Sequence, residues 1–333
     1  MANQTPTSTS TSEEMWSADA HGWFDRPGEE DHTLLLTLRC LSLVFSLIGL
    51  LGNGTVLWYL YFGIPSNQFT VYILNLALAD LTDLSSSFIT LLYVFGHPRG
   101  QHSSATARNV LLTLRLFRIL GYNTSLYLLA AISLERCVSV LKPMWYKFQR
   151  SRHQSVIVCV MLWGLSCLMT GPEFFFCDEE MYETEDFQCS AVLITSFSFG
   201  FIIVAPLMVI SNLTLICKIG YSSQQHQRPK LYIVIVISVL FFLISTLPPR
   251  ILELILYYKV LPPRKLSFFS AQHVSMFCST INGSVDPFIY VFVGGLWKNR
   301  GKGPIHAALH RAFKSEPSII GHEEKSNIST LYR

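Results

Sequence analysis

Arg118 and Arg136 lie eighteen residues apart. On a helix that is five turns, about 27 Å, so the two guanidiniums share one face. Tyr122 and Ser125 fall near the same stripe, and Arg136 follows Glu135 directly. Near the level of Arg118 the sequence also places Arg115, Glu173, Arg250 and Glu253. Three bases and two acids converging there, open to the outside, would form a ligand cavity. The same charges could instead satisfy one another, Arg250 with Glu253 at i, i+3 and Arg115 or Arg118 with Glu173. A second group is acidic and amidic: Asp80, Asp83 and Asp286, with Asn53, Ser125 and Asn282 as polar neighbours. Those oxygens could hold a cation, with sodium near Asp80 the natural choice, or cross-brace helices by hydrogen bonds. No other metal and no organic cofactor is expected.

Catalysis is poorly served. His273 is the only histidine within an apolar run, and no Ser- or Asp-based nucleophile motif accompanies it, so the chain is not read as an enzyme.

What positions these residues is a set of long apolar segments. Of 333 residues, 50% are hydrophobic and only 14% charged, against about a quarter charged in a typical soluble domain. A helix crosses the hydrocarbon layer with about 20 apolar residues. Seven segments qualify, approximately 34–61, 69–95, 109–141, 154–176, 190–217, 231–258 and 268–294. Ionisable side chains inside such segments are costly and mark function by default. The expected fold class is therefore an all-α membrane protein built as a seven-transmembrane-helix bundle (34–294). It is preceded by a disordered extracellular tail (1–33) and followed by a cytoplasmic helix and tail (295–333). The net charge of +3 and the lack of a long basic block exclude nucleic acid as a partner. The partner that all seven spans demand is the lipid bilayer.

Lys and Arg placement sets the orientation. With the N-terminus outside, the inner segments hold fourteen and the outer segments six, so a multi-pass plasma-membrane protein with a cytoplasmic C-terminus is expected. Residues 1–33 contain no apolar h-region, so span one is expected to act as its own signal anchor. Asn3-Gln4-Thr5 is a glycosylation sequon on the outer side. Cys177 and Cys189 bracket an outer loop that carries six acids and no base, where an oxidising compartment permits a disulfide. The alternative is two unpaired thiols at helix ends. Pro206, Pro248, Pro249 and Pro287 fall within spans five, six and seven, where proline frees a carbonyl and permits a kink.

Landmarks in every span together resemble the rhodopsin-like (class A) G-protein-coupled receptors. They are Gly52-Asn53, Leu76-Ala77-Leu78-Ala79-Asp80, Glu135-Arg136-Cys137, Trp163, Pro206, Leu247-Pro248 and Asp286-Pro287-Phe288-Ile289-Tyr290. Residues 121–155, 230–258 and 279–295 are similar to the Mas-related receptors, nearest to the Mas-type members. The resemblance implies an extracellular peptide or small-molecule ligand bound near Arg115, Arg118, Tyr122, Glu173, Thr246, Arg250 and Glu253. It implies coupling to a heterotrimeric G protein through Glu135, Arg136, Pro143 and Met144, with Met144 as an apolar knob. It also implies an inner polar network of Asn53, Asp80, Ser125, Asn282, Asp286 and Tyr290, arrestin and receptor kinases as further partners, and expression in sensory neurons.

The departures are specific. Residues 96–115 contain no cysteine, so the usual class A disulfide is absent and the Mas-related pairing implies Cys177–Cys189. Arg228 aligns with the acid that often holds the span-three arginine. Thr246 and Thr214 stand where a tryptophan and a tyrosine are usual. Arg118 replaces the aspartate of amine receptors, and Leu193 stands where a second ligand acid is found in some relatives, which disfavours a strongly cationic amine. Two rivals are a seven-span transporter or channel using Asp80 and Asp286 as a path, and a receptor that signals without ligand.

Overall fold

The computed structural model describes residues 29–62, 68–96, 105–148, 151, 153–177, 187–221, 236–237, 239–245, 247–248, 251–252, 255 and 268–296. All secondary structure among them is helical. In chain order the helices are α1 (Glu29–Phe62), α2 (Gln68–Gly96), α3 (Ala105–Leu141), a short α4 (Pro143–Phe148) and α5 (Gln154–Phe176). Next come α6 (Phe187–Ser198), which runs through a π turn (Phe199–Val204) into α7 (Ala205–Tyr221), and α8 (Phe268–Leu296). The described residues between 236 and 255 are helical and belong to the sixth apolar segment. Asn3, Arg228, Thr246, Arg250 and Glu253 lie outside the described residues, as does the side chain of Tyr290.

Five helices are long and apolar enough to cross a membrane by length and composition: Thr33–Phe62, Gln68–Gly96, Thr106–Leu141, Gln154–Phe176 and Phe187–Lys218. Helices form because hydrocarbon offers backbone N–H and C=O groups no partner, so each must be satisfied within its own segment. Hydroxyl side chains follow the same rule. Thr55, Thr82 and Ser133 donate to the carbonyls of Leu51, Leu78 and Leu129, four residues back.

α3 is the central post. Eight consecutive residues, Asn123 to Ala130, are buried, which requires neighbours on every side. By contrast α1, α5 and α7 turn Leu51, Trp58, Val160, Met161, Leu168, Ile210 and Leu213 outward, the arrangement lipid contact favours. Buried Tyr72, Ile73 and Leu76 from α2 meet Leu128 and Ile132 from α3, Met208 from α7, and Val239 and Phe242 from the sixth segment.

Two glycines set how close helices come. A Cβ on Gly121 of α3 would lie 2.6 Å from the Asp83 nitrogen and 2.7 Å from the Ala79 oxygen, so α2 and α3 touch backbone to backbone there. A Cβ on Gly49 of α1 would lie 2.5 Å from Ser284 Oγ of α8. The π turn ends two residues before Pro206, whose missing N–H cannot close a helical bond to the residue 202 carbonyl. Pro287 lies inside α8, and a further internal proline, Pro172, lies near the end of α5.

Candidate functional site

The candidate residues fall at three levels along α3. At one end of the bundle, Cys177 and Cys189 form a disulfide, with an S–S length of 2.05 Å and Cα atoms 5.0 Å apart. Both are buried, and the bond ties the end of α5 to the start of α6. One turn before Cys177, the Glu173 carbonyl accepts the Cys177 N–H at 3.1 Å. Its side chain is buried at 7% exposure, unusual for a carboxylate in a protein interior. Arg115, Arg118 and Tyr122 line α3 at this level, all half-buried. The Tyr122 ring stacks on Phe242 of the sixth segment, with centroids 6.1 Å apart. Deeper in, Asn123 Nδ2 donates to Thr170 Oγ1 at 3.0 Å, pinning α3 to α5, and Tyr127 packs edge-on to Phe199 in the π turn at 5.6 Å. Leu193 is half-buried in α6.

At the middle level the side chains of Asn53, Asp80, Asp83, Ser125, Asn282 and Asp286 are all buried. Ser125 donates to Asp80 Oδ1 at 2.6 Å, joining α3 to α2. Ser279 donates to Asp83 Oδ2 at 2.6 Å, joining α8 to α2. Asn53 Nδ2 donates to the Gly283 carbonyl at 2.7 Å and to the Gly49 carbonyl at 3.1 Å, joining α1 to α8 through backbone. Among the described residues, the buried Asp80 Oδ2 has no hydrogen-bond partner.

At the other end, Tyr72 Oη donates to Glu135 Oε1 at 3.1 Å. The Arg136 guanidinium carbon lies 4.0 Å from the centroid of the Phe69 ring. Pro143 opens α4 at the first helical position, where its missing N–H costs nothing. Met144 beside it is 69% exposed, an apolar side chain offered outward. Trp163 Nε1 donates to Asn75 Oδ1 at 3.1 Å and fixes α5 against α2.

A buried polar core through α1, α2, α3 and α8, a Glu-Arg pair at one end and a disulfide-closed charged level at the other form one architecture, and sequence comparison identifies it. Residues 52–290 match the family described as 7 transmembrane receptor (rhodopsin family). The chain belongs to that family. It is 38% identical to human Proto-oncogene Mas over 303 residues, covering 90% of each chain. It is 37% identical to Mas-related G-protein coupled receptor member H of Mus musculus over 98% of this chain and 94% of the relative. Member D of Homo sapiens is 36% identical over 89% of this chain and 91% of its own length.

The receptor is thus a Mas-related, rhodopsin-type seven-transmembrane-helix bundle, a multi-pass protein of the plasma membrane and not an enzyme. The structure brings Asp80 and Ser125 into direct contact, whereas Asn53 is engaged with backbone rather than with Asp80. Among the described residues, no group of three or more His, Cys, Asp or Glu side chains is arranged to hold a metal.

Several residues of the receptor's polar framework are absent from the sequence-based reading. Ser279 and Ser284 are two: Ser284 Oγ donates to the Phe45 carbonyl of α1 at 2.7 Å. Asn212, which donates to Ser133 Oγ at 3.3 Å, and Asn75 are others. Arg39 is the plainest omission, since a half-buried arginine in the first span carries the same signal that singled out Arg118.

Proposed function

We propose that this receptor binds an extracellular peptide or amphoteric small ligand at the disulfide-closed end and couples to heterotrimeric G proteins at the Arg136 end. The observation that carries the reading is α3, one continuous helix bearing Arg115, Arg118 and Tyr122 at the first level and Glu135-Arg136 at the last. A ligand that contacts α3, Glu173 and the sixth segment differently in two arrangements of the bundle shifts the population between them, and only that differential affinity transmits a signal. Arg118 would take an acidic group of the ligand and Glu173 a basic one, with Thr246, Arg250 and Glu253 contributed by the sixth segment. Pro143 and Met144 present an exposed apolar knob for the G protein.

The N-terminus, with its sequon at Asn3, lies outside the cell in this reading, and the C-terminal tail lies in the cytoplasm as the substrate of receptor kinases and the seat of arrestin. Sensory neurons are the tissue to examine first. A sodium ion fits the middle level as an allosteric modulator: the donors are oxygens, and Asp80 Oδ2 is buried without a hydrogen-bond partner among the described residues. Asp80 and Ser125 would hold it.

The test is calcium and cyclic AMP output in cells expressing the chain, without ligand and then with fractionated peptide extract. Arg136→Ala at matched surface expression is the control. Output that Arg136→Ala abolishes supports coupling. For the ligand, Glu173→Ala or Arg118→Ala is expected to weaken potency at least about tenfold, the cost of losing one buried charge contact. Unchanged potency in both variants would overturn the amphoteric-ligand reading.

A further inference from the structure

We propose that Phe69 and Tyr72 of α2 are positioning residues that hold Glu135 and Arg136 in the resting arrangement of the receptor. They are three residues apart, so their side chains emerge from one face of α2. Both are buried, Tyr72 at 2% exposure and Phe69 at 9%. Phe69 presents its π face to Arg136 at 4.0 Å, well inside the roughly 6 Å over which a cation is attracted to an aromatic quadrupole. Tyr72 gives its hydroxyl proton to Glu135 Oε1 at 3.1 Å. Adjacent residues of one helix are thereby both turned toward α2, the acid by a hydrogen bond and the base by a ring. The next residue, Cys137, is buried.

A ring face attracts a guanidinium through its quadrupole. Backbone carbonyls of an incoming helix can replace that ring contact at small cost. Phe69 and Tyr72 act through Glu135 and Arg136, so the proposal rests on the reading of Arg136 as the coupling residue, and its test must be able to fail separately from that reading.

The full-length receptor in inside-out membrane vesicles supplies it, with the rate of Cys137 modification by a charged maleimide as the readout. Cys137→Ser serves for subtraction and surface expression is matched. Phe69→Leu keeps apolar volume and removes the π face, and is expected to speed modification about fivefold, the population shift one such contact supports. Phe69→Tyr keeps the face and is expected to match the parent. Tyr72→Phe is expected to give about a twofold increase. Equal rates for Phe69→Leu and Phe69→Tyr, or no change in Phe69→Leu, would overturn the proposal, because plain packing does not distinguish them in this way. Basal second-messenger output is measured on the same variants. Faster modification with raised output supports both readings. Faster modification with flat output supports the positioning role and counts against G-protein coupling.

Discussion

The helices α1, α2, α3 and α8 are joined by buried polar bonds, whereas α6, α7 and the described part of the sixth segment are joined to the bundle mainly by apolar and aromatic contact. Within the first group, Ser125 reaches Asp80, Ser279 reaches Asp83, Asn53 reaches the Gly283 carbonyl and Ser284 reaches the Phe45 carbonyl, each at 2.6 or 2.7 Å. In the second, one polar tie is Asn212 to Ser133 at a longer 3.3 Å. Beside it stand Tyr127 against Phe199, Tyr122 against Phe242, packing of Met208 and Val239, and the Cys177–Cys189 bond at the head of α6. The second group also carries the π turn and Pro206. A bond of 2.6 Å has one good geometry, while apolar surfaces tolerate sliding at little cost. From this difference we infer a braced frame and a side freer to move against it, the division a two-state transmembrane switch would use.

The largest expected effect comes from forcing the frame apart. In Gly121→Ala the new Cβ would meet two backbone atoms, the Asp83 nitrogen and the Ala79 oxygen, which cannot rotate away. Separating α2 from α3 would stretch the Ser125–Asp80 bond as well, and the cost is expected to be about 3 kcal/mol or more. Gly164→Ala in α5 is the matched control, because nothing lies within 4 Å of its Cβ. There alanine's helix preference is expected to raise stability by up to about 1 kcal/mol. Thermal inactivation of the detergent-solubilised receptor reads both. A Gly121→Ala receptor as stable as Gly164→Ala would mean that the frame does not depend on that approach.

Much of the frame was legible in the sequence, and the reason is physical. Apolar runs long enough to span lipid can only be helices, so span positions follow from hydropathy, and charges inside them stand out. Asp80 with Ser125 is visible for that reason. Hydroxyls and amides are harder to read, because a serine in a helix has two uses that look identical in sequence. Ser133 donates to its own helix at Leu129, while Ser279 donates to Asp83 on another. Which occurs depends on rotation about the helix axis and on what stands opposite, a tertiary fact. Asn53 is the same problem: its type announced a polar contact, and its actual partners are backbone carbonyls. Phe69 gave no signal at all, since an aromatic in an apolar run looks like core until Arg136 is seen above it.

The Cys177–Cys189 bond tests the border between the two parts, because it ties α5, which is fixed to α2 and α3 through Trp163–Asn75 and Asn123–Thr170, to the movable α6. Cys177→Ser with Cys189→Ser is expected to cost about 3 kcal/mol in the chain-entropy estimate for a short loop. Loss of ligand response should exceed loss of surface expression, since Glu173 lies one turn from the bond. Equal loss of both would place the disulfide in folding alone.

The smallest effects make the sharpest comparison. Ser279→Ala removes a 2.6 Å bond to a buried carboxyl in the frame, and Asn212→Ala removes a 3.3 Å bond on the movable side. The first is expected to cost about 1.5 kcal/mol, the upper end for hydrogen bonds between transmembrane helices, and the second about 0.6 kcal/mol, their average. The two should differ in kind as well as size. Loosening the frame destabilises both arrangements of the receptor alike, so Ser279→Ala should lower the inactivation temperature and leave basal signalling per surface receptor unchanged. Asn212 joins the helix on the movable side to Ser133 of the frame, so its loss should alter the balance between arrangements and shift basal signalling with little change in thermal stability. The opposite pattern, signalling altered by Ser279→Ala and stability by Asn212→Ala, would reverse the assignment of frame and mover while leaving every contact in place.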